Sequence, residues 1–321
     1  MDAGMVYKQL GKTDLRVSEL GFGASPLGGV YHDLDPAEGE RAVHAAIDQG
    51  INFFDVSPYY GSTLAEERLG RALDGRRNRI LLATKCGRNG LAQFDFSAAA
   101  VEASVHASLA RLRTSYVDLL QVHDVEFGSF EQIVQETVPC LRRLQQQGLA
   151  RYVGITGYSV GMLCRVARAT PVDTVLSYCR YNLMITDMDE VLTPEARAAG
   201  VGLINASPLH MGLLTQEGAP HWHPAPPPLR GLAQRAVDLA GARGISLPQL
   251  ALRFSLDHSY VSTTLVGMAT RQEVSRNLQA LRQQGDPWLV AEIQQSLGSW
   301  FNFVWPSGLE ENSDLPRELL T

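Results

Sequence analysis

The feature that most constrains this chain is a repeated alternation: short runs rich in Val, Ile, Leu and Phe, each separated from the next by a longer stretch of helical period. The runs fall at 19–23, 52–55, 80–85, 117–123, 152–156, 173–177, 202–206 and 264–267, eight in all. Strand–helix alternation builds a parallel sheet with crossover helices, and eight parallel strands suggest closure into a (β/α)8 TIM barrel, an α/β fold. Between the runs, 36–49 carries Ala42, Val43, Ala46 and Ile47 on one face, and 98–112 repeats the spacing with Val101, Val105, Leu109 and Leu112. Such stripes mark the buried sides of outer helices. Ahead of the first run, 6–17 has Gly11-Lys12 between two apolar segments and reads as a hairpin plugging the bottom of the barrel.

With 321 residues and 45% hydrophobic composition, the chain can bury a core of barrel size. The competing architecture, a doubly wound dinucleotide-binding sheet, needs GxGxxG after its first strand. Here Gly21-Phe22-Gly23 runs into Ala24-Ser25-Pro26 without a third glycine, which favours the barrel. Residues 207–230 lose helical period and become rich in Gly and Pro; a loop of that length in a compact fold is usually functional. Helical pattern resumes at 229–241 and 247–256, so one domain over 1–321 is the economical organisation. A formal charge of -6 offers no basic footprint to nucleic acid or an anionic membrane surface, leaving a small molecule as the expected partner. No run of eighteen apolar residues occurs, and 1–11 lacks the basic-then-apolar order of a secretory signal, so a cytoplasmic location is expected. Cys86, Cys140, Cys164 and Cys179 match no CxxC spacing and are expected to be reduced and buried.

In closed α/β barrels, reactive groups collect at the carboxyl ends of the strands. Asp55 ends the second run, Tyr60 lies in the loop behind it, Lys85 ends the third run and His123 the fourth. A buried lysine needs a counter-ion, and Asp55 is the natural one. Lys85 would then stabilise phenolate at Tyr60, lowering its pKa from about 10, while His123 orients the reacting oxygen. Taken singly, these are a loop tyrosine, a solvated lysine and a satisfied core histidine. Together, at three successive strand ends, they form a candidate catalytic centre.

Asp55-Val56-Ser57-Pro58-Tyr59-Tyr60-Gly61, followed by Lys85 and by Val117-Asp118-Leu119-Leu120-Gln121-Val122-His123, resembles the aldo-keto reductase superfamily. The likeness runs nearly end to end, through Leu20-Gly21-Phe22-Gly23, Gly154-Ile155-Thr156, Ser207-Pro208-Leu209 with Gly212-Leu213-Leu214, and Val266-Gly267 with Asn277. Within the superfamily, His123-Asp124-Val125-Glu126-Phe127-Gly128-Ser129, Leu176-Ser177-Tyr178-Cys179 and Trp305-Pro306-Ser307-Gly308 are similar to the L-galactose and L-fucose dehydrogenases. That resemblance implies an aldose 1-dehydrogenase. Tyr60 would take the proton of the anomeric hydroxyl while hydride leaves C1 for nicotinamide, giving an aldonolactone. Lys85 and Asp55 would tune Tyr60, and His123 would hold the C1 oxygen. It also implies a monomer. The alternatives are an NADPH-dependent aldehyde or ketone reductase and a nicotinamide-binding regulatory subunit.

The resemblance further implies that the dinucleotide is held by Gly23, Ala24, Thr156, Tyr178, Ser207, Leu209, Gly212, Gly267, Met268 and Asn277. Three positions depart from the pattern: Thr156-Gly157 replaces a Ser-Asn pair, Tyr178 stands where glutamine is common, and Ala206 stands where an aromatic ring usually stacks on nicotinamide. Glu273 stands where NADP-preferring relatives place arginine; a carboxylate there would repel a 2′-phosphate and accept from a ribose hydroxyl, so NAD is the expected cofactor. Arg271 and Arg276 lie close enough in sequence to meet a phosphate instead, and all three residues also suit an ordinary solvated helix face.

Sugar recognition needs fixed hydrogen-bond partners and an apolar face. Tyr59, Asp124 and Trp305 are the substrate-side candidates, against a loop or helix cap for Asp124 and packing on the outer helices for Trp305. His221 and His223 have no third ligand nearby, so no metal is expected, and no GxSxG elbow supports a serine hydrolase. His32, His44, His106, His210 and His258 show no catalytic spacing.

Overall fold

The computed structural model describes residues 4–30 and 34–315; His32 and the two ends of the 1–321 span lie outside the described residues. β1 (Tyr7–Gln9) and β2 (Arg16–Ser18) form an antiparallel hairpin. Then come β3 (Leu20–Gly23), β4 (Phe53–Asp55), β5 (Leu81–Cys86), β6 (Val117–Val122), β7 (Ala150–Gly157), β8 (Thr174–Tyr178), β9 (Gly202–Ala206) and β10 (Thr263–Gly267). These eight are parallel neighbours in order, and β10 pairs back onto β3 to close the barrel. The expected runs fall on these strands. β7 starts earlier than its apolar pattern because Ala150 pairs with Val117 across the ladder, carrying polar Arg151 into the strand.

The outer layer is α1 (Pro36–Asp48), α2 (Leu64–Ala72), α3 (Ala98–Arg111), α4 (Phe130–Gln132), α5 (Val138–Gln146), α6 (Val160–Ala169), α7 (Met188–Ala199), α8 (Pro227–Ala242), α9 (Leu247–Leu256), α10 (Arg271–Ala280) and α11 (Pro287–Leu297). The two stripes noted in the sequence have identifiable starts: Asp35 accepts from the Ala37 amide before α1, and Ser97 from the Ala100 amide before α3. Such caps satisfy first-turn donors that lack partners within the helix. No helix among the described residues is long and apolar enough to cross a membrane. All four cysteines are buried and free.

Alternation along each strand decides what faces the lumen. Phe53, Ala83, Leu119, Leu176, Ile204 and Leu265 meet there as one apolar layer, covered from below by Leu10, Leu15 and Val17 of the hairpin. The hairpin is therefore the plug its sequence position suggested. Its turn needs glycine: Gly11 has φ +56°, and a Cβ there would collide with the Gly202 backbone. Two residues further along the same six strands, the same parity brings Asp55, Lys85, Gln121, Tyr178, Ala206 and Gly267 to the opposite end, with His123 two beyond Gln121. The intervening residues, among them Leu82, Leu120, Val153, Val175 and Leu203, pack outward in the cluster that holds Val43, Val101, Leu141 and Leu163 of the helices.

The long loop after β9 is organised from within. Arg230 donates to the carbonyls of Ala219, Pro220, His223 and Ala225, and His223 uses both ring nitrogens, on the His210 carbonyl (3.0 Å) and the Ala225 amide (2.9 Å).

Candidate active site

Lys85 is almost wholly buried at the end of β5 and is saturated by neighbours. Its ammonium ion-pairs with Asp55 and donates to the Val56 carbonyl at 3.0 Å and to the Tyr60 hydroxyl at 3.2 Å. The second oxygen of Asp55 accepts from Gln121 Nε2 at 2.9 Å, so the carboxylate is held from two strands. His123 meets Ser57 Oγ through Nδ1 at 3.0 Å and lies edge-on to Tyr60, with ring centres 5.8 Å apart. Ser57 Oγ already accepts from the Tyr59 amide at 3.1 Å, which leaves its hydroxyl to donate to Nδ1; we assign the neutral ring's proton to Nε2 on that ground. Sequence reasoning named the four charged and aromatic members but missed Gln121 and Ser57. Each stands two residues from a named one, Gln121 before His123 and Ser57 after Asp55, and that spacing was the available signal.

Burial pushes the Tyr60 phenol above its ordinary value; Lys85 pulls it down, and Asp55 and Asp124 push it up again. The net direction corrects the expectation that Lys85 leaves Tyr60 below it. Removing phenolate from water costs more than one ammonium returns when that ammonium is shared with Asp55. Burial also opposes the charge on Lys85, but Asp55 and Tyr60 together hold its pKa above the usual lysine range. Burial, then Lys85 and Arg88, hold His123 well below its ordinary range, so the imidazole is neutral at physiological pH. The centre therefore presents a neutral N–H donor and a phenol backed by a fixed cation. Together they can hold one substrate oxygen and exchange its proton.

The substrate-side candidates also gather at this mouth. Asp124 caps nothing; its carboxylate ion-pairs with Arg88, a residue sequence reasoning did not single out, and lies 3.7 Å from His123 Nε2. The Arg88 guanidinium lies over the Tyr59 ring at 3.9 Å. Trp305 is not on the outer helices. It stacks on Tyr158, centre to centre 4.3 Å, with its edge contacts on His210 and His223. Its segment is tied down by Glu126, which accepts from Ser307 Oγ and the Tyr158 amide, and by Asn312, which donates to the Glu126 and Gly128 carbonyls.

The profile of the Aldo/keto reductase family matches residues 19–297. The chain belongs to the aldo/keto reductase family. It is 43% identical to L-galactose dehydrogenase of Arabidopsis thaliana over 95% of this chain and 98% of that one. It is 32% identical to D-arabinose 1-dehydrogenase of Saccharomyces cerevisiae over the same shares. The holo structure of an aldo-keto reductase from Bacillus halodurans superposes with a TM-score of 0.76 at 29% identity, covering 94% of this chain and 98% of that one. The protein is thus an oxidoreductase of the aldo/keto reductase family built on the barrel that its strand pattern predicts.

In this reductase the positions expected to hold the dinucleotide ring the mouth from β7 to β10, with Gly23 and Ala24 beside them. Thr156 Oγ1 accepts from the Asp124 amide at 3.2 Å, and Tyr178 ends β8 on the lumen face, partly exposed. After β9 the chain curls: Ser207, His210, Met211 and Gly212 have φ of +60°, +50°, +50° and +95°, and Leu209 lies half-buried inside the curl. Gly267 is exposed, and a Cβ on it would meet Pro26 at 2.9 Å. Ala24 and Met268 bury their side chains in the core and can offer only backbone, while Asn277 sits half-buried on α10. Glu273 is not part of a merely solvated face. One carboxylate oxygen accepts from the Ala269 and Thr270 amides, 2.8 and 2.9 Å away, closing a capping box with Thr270. Arg271 is tied through its amide, Nε and Nη2 to Glu38 on α1, whose carboxyl these bonds, with Arg41, hold down to about 2.

Proposed function

We propose that this reductase is an NAD-dependent aldose 1-dehydrogenase that oxidises L-galactose, or its 6-deoxy relative L-fucose, at C1 to the aldonolactone. The observation that carries the reaction type is the Tyr60 hydroxyl 3.2 Å from a buried Lys85 ammonium, with neutral His123 edge-on to the same ring. The sugar class rests on the similarity to L-galactose dehydrogenase and D-arabinose 1-dehydrogenase. His123 donates Nε2–H to the C1 oxygen and fixes it. The Tyr60 phenolate, whose charge Lys85 stabilises 3.2 Å away, accepts the anomeric proton and becomes a neutral phenol. Asp55, gripped by Gln121, keeps the ammonium from following the proton. Because burial holds the free phenol protonated, oxidation quickens as pH rises toward the Tyr60 pKa.

A nicotinamide dinucleotide fits the curl at Ser207–Gly212, the open glycine at 267, the hydroxyl of Thr156 and the ring of Tyr178; when bound, it supplies the hydride acceptor. The preference for NAD is supported by two carboxylates at the start of α10. Glu273 sits in the first turn, and Glu38 already neutralises Arg271, so a 2′-phosphate there would meet two carboxylates against one guanidinium, that of Arg276, left uncommitted among the described residues.

The test is the initial rate of nicotinamide reduction with L-galactose, L-fucose and D-galactose, each with NAD or NADP, beside Tyr60→Phe. Reduction of NAD by the L-sugars, lost by a factor of roughly 100 to 10,000 in the variant, is the expected result. Inertness toward every sugar, together with NADPH-driven reduction of simple aldehydes, would overturn it.

A further inference from the structure

Beside the catalytic histidine the barrel holds two polar groups whose hydrogen-bonding capacity is unspent. Asp124 Oδ1 is buried and has no partner among the described residues; its other oxygen takes the ion pair to Arg88. Arg88 spends Nη1 on that pair and Nε on the Gly90 carbonyl at 3.5 Å, and its Nη2 bonds to no described residue. One ion pair therefore carries a vacant acceptor on its carboxylate and a vacant donor on its guanidinium.

Their place is held from several directions. Asp124 has φ +55°, a left-handed conformation that aspartate tolerates better than most side chains, and its amide is anchored on Thr156 Oγ1 at 3.2 Å. The guanidinium of Arg88 rests over Tyr59 at 3.9 Å and Phe94 at 5.1 Å. A buried carboxylate oxygen without a partner bears its desolvation cost, which a ligand hydroxyl donating to it would offset.

We propose that Arg88 and Asp124 recognise the hydroxyl on the carbon next to the one oxidised, making the enzyme selective for aldoses that bear a 2-hydroxyl. This deepens the dehydrogenase reading and rests on it. Asp124 Oδ2, the carboxylate oxygen paired with Arg88, is 3.7 Å from His123 Nε2, the atom assigned to the C1 oxygen, which sets the whole carboxylate beside the reacting end of the sugar. Oxygens on adjacent sugar carbons lie within hydrogen-bonding distance of each other, so a sugar seated on His123 through O1 delivers O2 to this pair. The hydroxyl donates to Asp124 Oδ1 and accepts from Arg88 Nη2, and both unspent groups are satisfied by one substituent. Arg88 is itself partly exposed, so the pair is approached from the guanidinium side.

The experiment compares kcat/KM for L-galactose and 2-deoxy-L-galactose in the wild type, Asp124→Ala, Asp124→Asn and Arg88→Met, all with saturating NAD. The wild type is expected to prefer the 2-hydroxy sugar by at least about 100-fold, since a site built around a hydroxyl rejects the analogue that lacks it. In Asp124→Ala and Arg88→Met the parent sugar slows and the preference shrinks to within about threefold. The 2-hydroxyl withdraws electrons from C1, so deleting it eases hydride departure; a slower 2-deoxy sugar therefore reports recognition rather than reactivity. Should Asp124→Ala fail to fold, the near-isosteric Asp124→Asn gives the same ratio, weakened in the same direction. Undiminished oxidation of the 2-deoxy sugar by the wild type, or a preference unchanged in the variants, overturns the inference alone. Failure to oxidise any aldose overturns the dehydrogenase reading and the inference together.

Discussion

The two ends of the barrel are built from the same strands two residues apart, and they obey opposite rules. At the N-terminal end Phe53, Ala83, Leu119, Leu176, Ile204 and Leu265 close on Leu10, Leu15 and Val17, an apolar layer in which the buried polar groups of the same parity are the neutral hydroxyls of Thr174 and Thr263 rather than charges. At the C-terminal end the next inward residues include Asp55, Lys85 and Gln121, and beyond them His123, Asp124 and Glu126, all buried. There Asp124 Oδ1 and Glu126 Oε2 have no hydrogen-bond partner among the described residues. The plug end gains stability from burial. The mouth gives some up to hold charges where an incoming oxygen can use them.

The comparison is most severely tested at Lys85. In Lys85→Met, Asp55 keeps its burial and its bond from Gln121 but loses its counter-ion, so chemical denaturation should register a loss of about 3–5 kcal/mol together with near-complete loss of turnover. A stable but inactive Lys85→Met would show that an Asp55 carboxylate without its counter-ion costs the mouth little. At the other end, Leu15→Ala opens a cavity under the apolar layer and should cost about 2–5 kcal/mol by urea unfolding, with kcat unchanged while the protein remains folded. A large change in kcat there would mean that the plug and the mouth are not separable.

The last test sharpens the contrast through pH. Burial, then the charge on Asp124, push Glu126 up to about 8, against an ordinary value of 4.5. Between those values the folded state binds a proton that the unfolded chain releases, so stability is lost as pH rises through that window. Glu126→Gln keeps an acceptor for Ser307 and the Tyr158 amide without the titration. Its stability relative to wild type should therefore grow between pH 5 and 8 by up to about 1.4 kcal/mol per pH unit. A difference that stays flat across urea titrations at pH 5, 6.5 and 8 would remove Glu126 from the unsettled charges of the mouth.

The sequence alone determined the barrel, the plugging hairpin and the strand-end positions of Asp55, Lys85 and His123, because period and strand parity are local properties that a linear string displays. Only the tertiary structure decided which partner each of these residues takes. Gln121 reaches Asp55 across the lumen, and Arg271 is claimed by Glu38 from 233 positions away. Gly87, with φ +91°, turns the chain after β5 so that Arg88 meets Asp124, and no periodicity announces that turn. Trp305 finds Tyr158 rather than a helix because its segment is tied by Glu126 and Asn312. The direction of the Tyr60 shift belongs to the same class. It depends on how much water the closed barrel removes from the phenol, a quantity that exists only once the strands have come together.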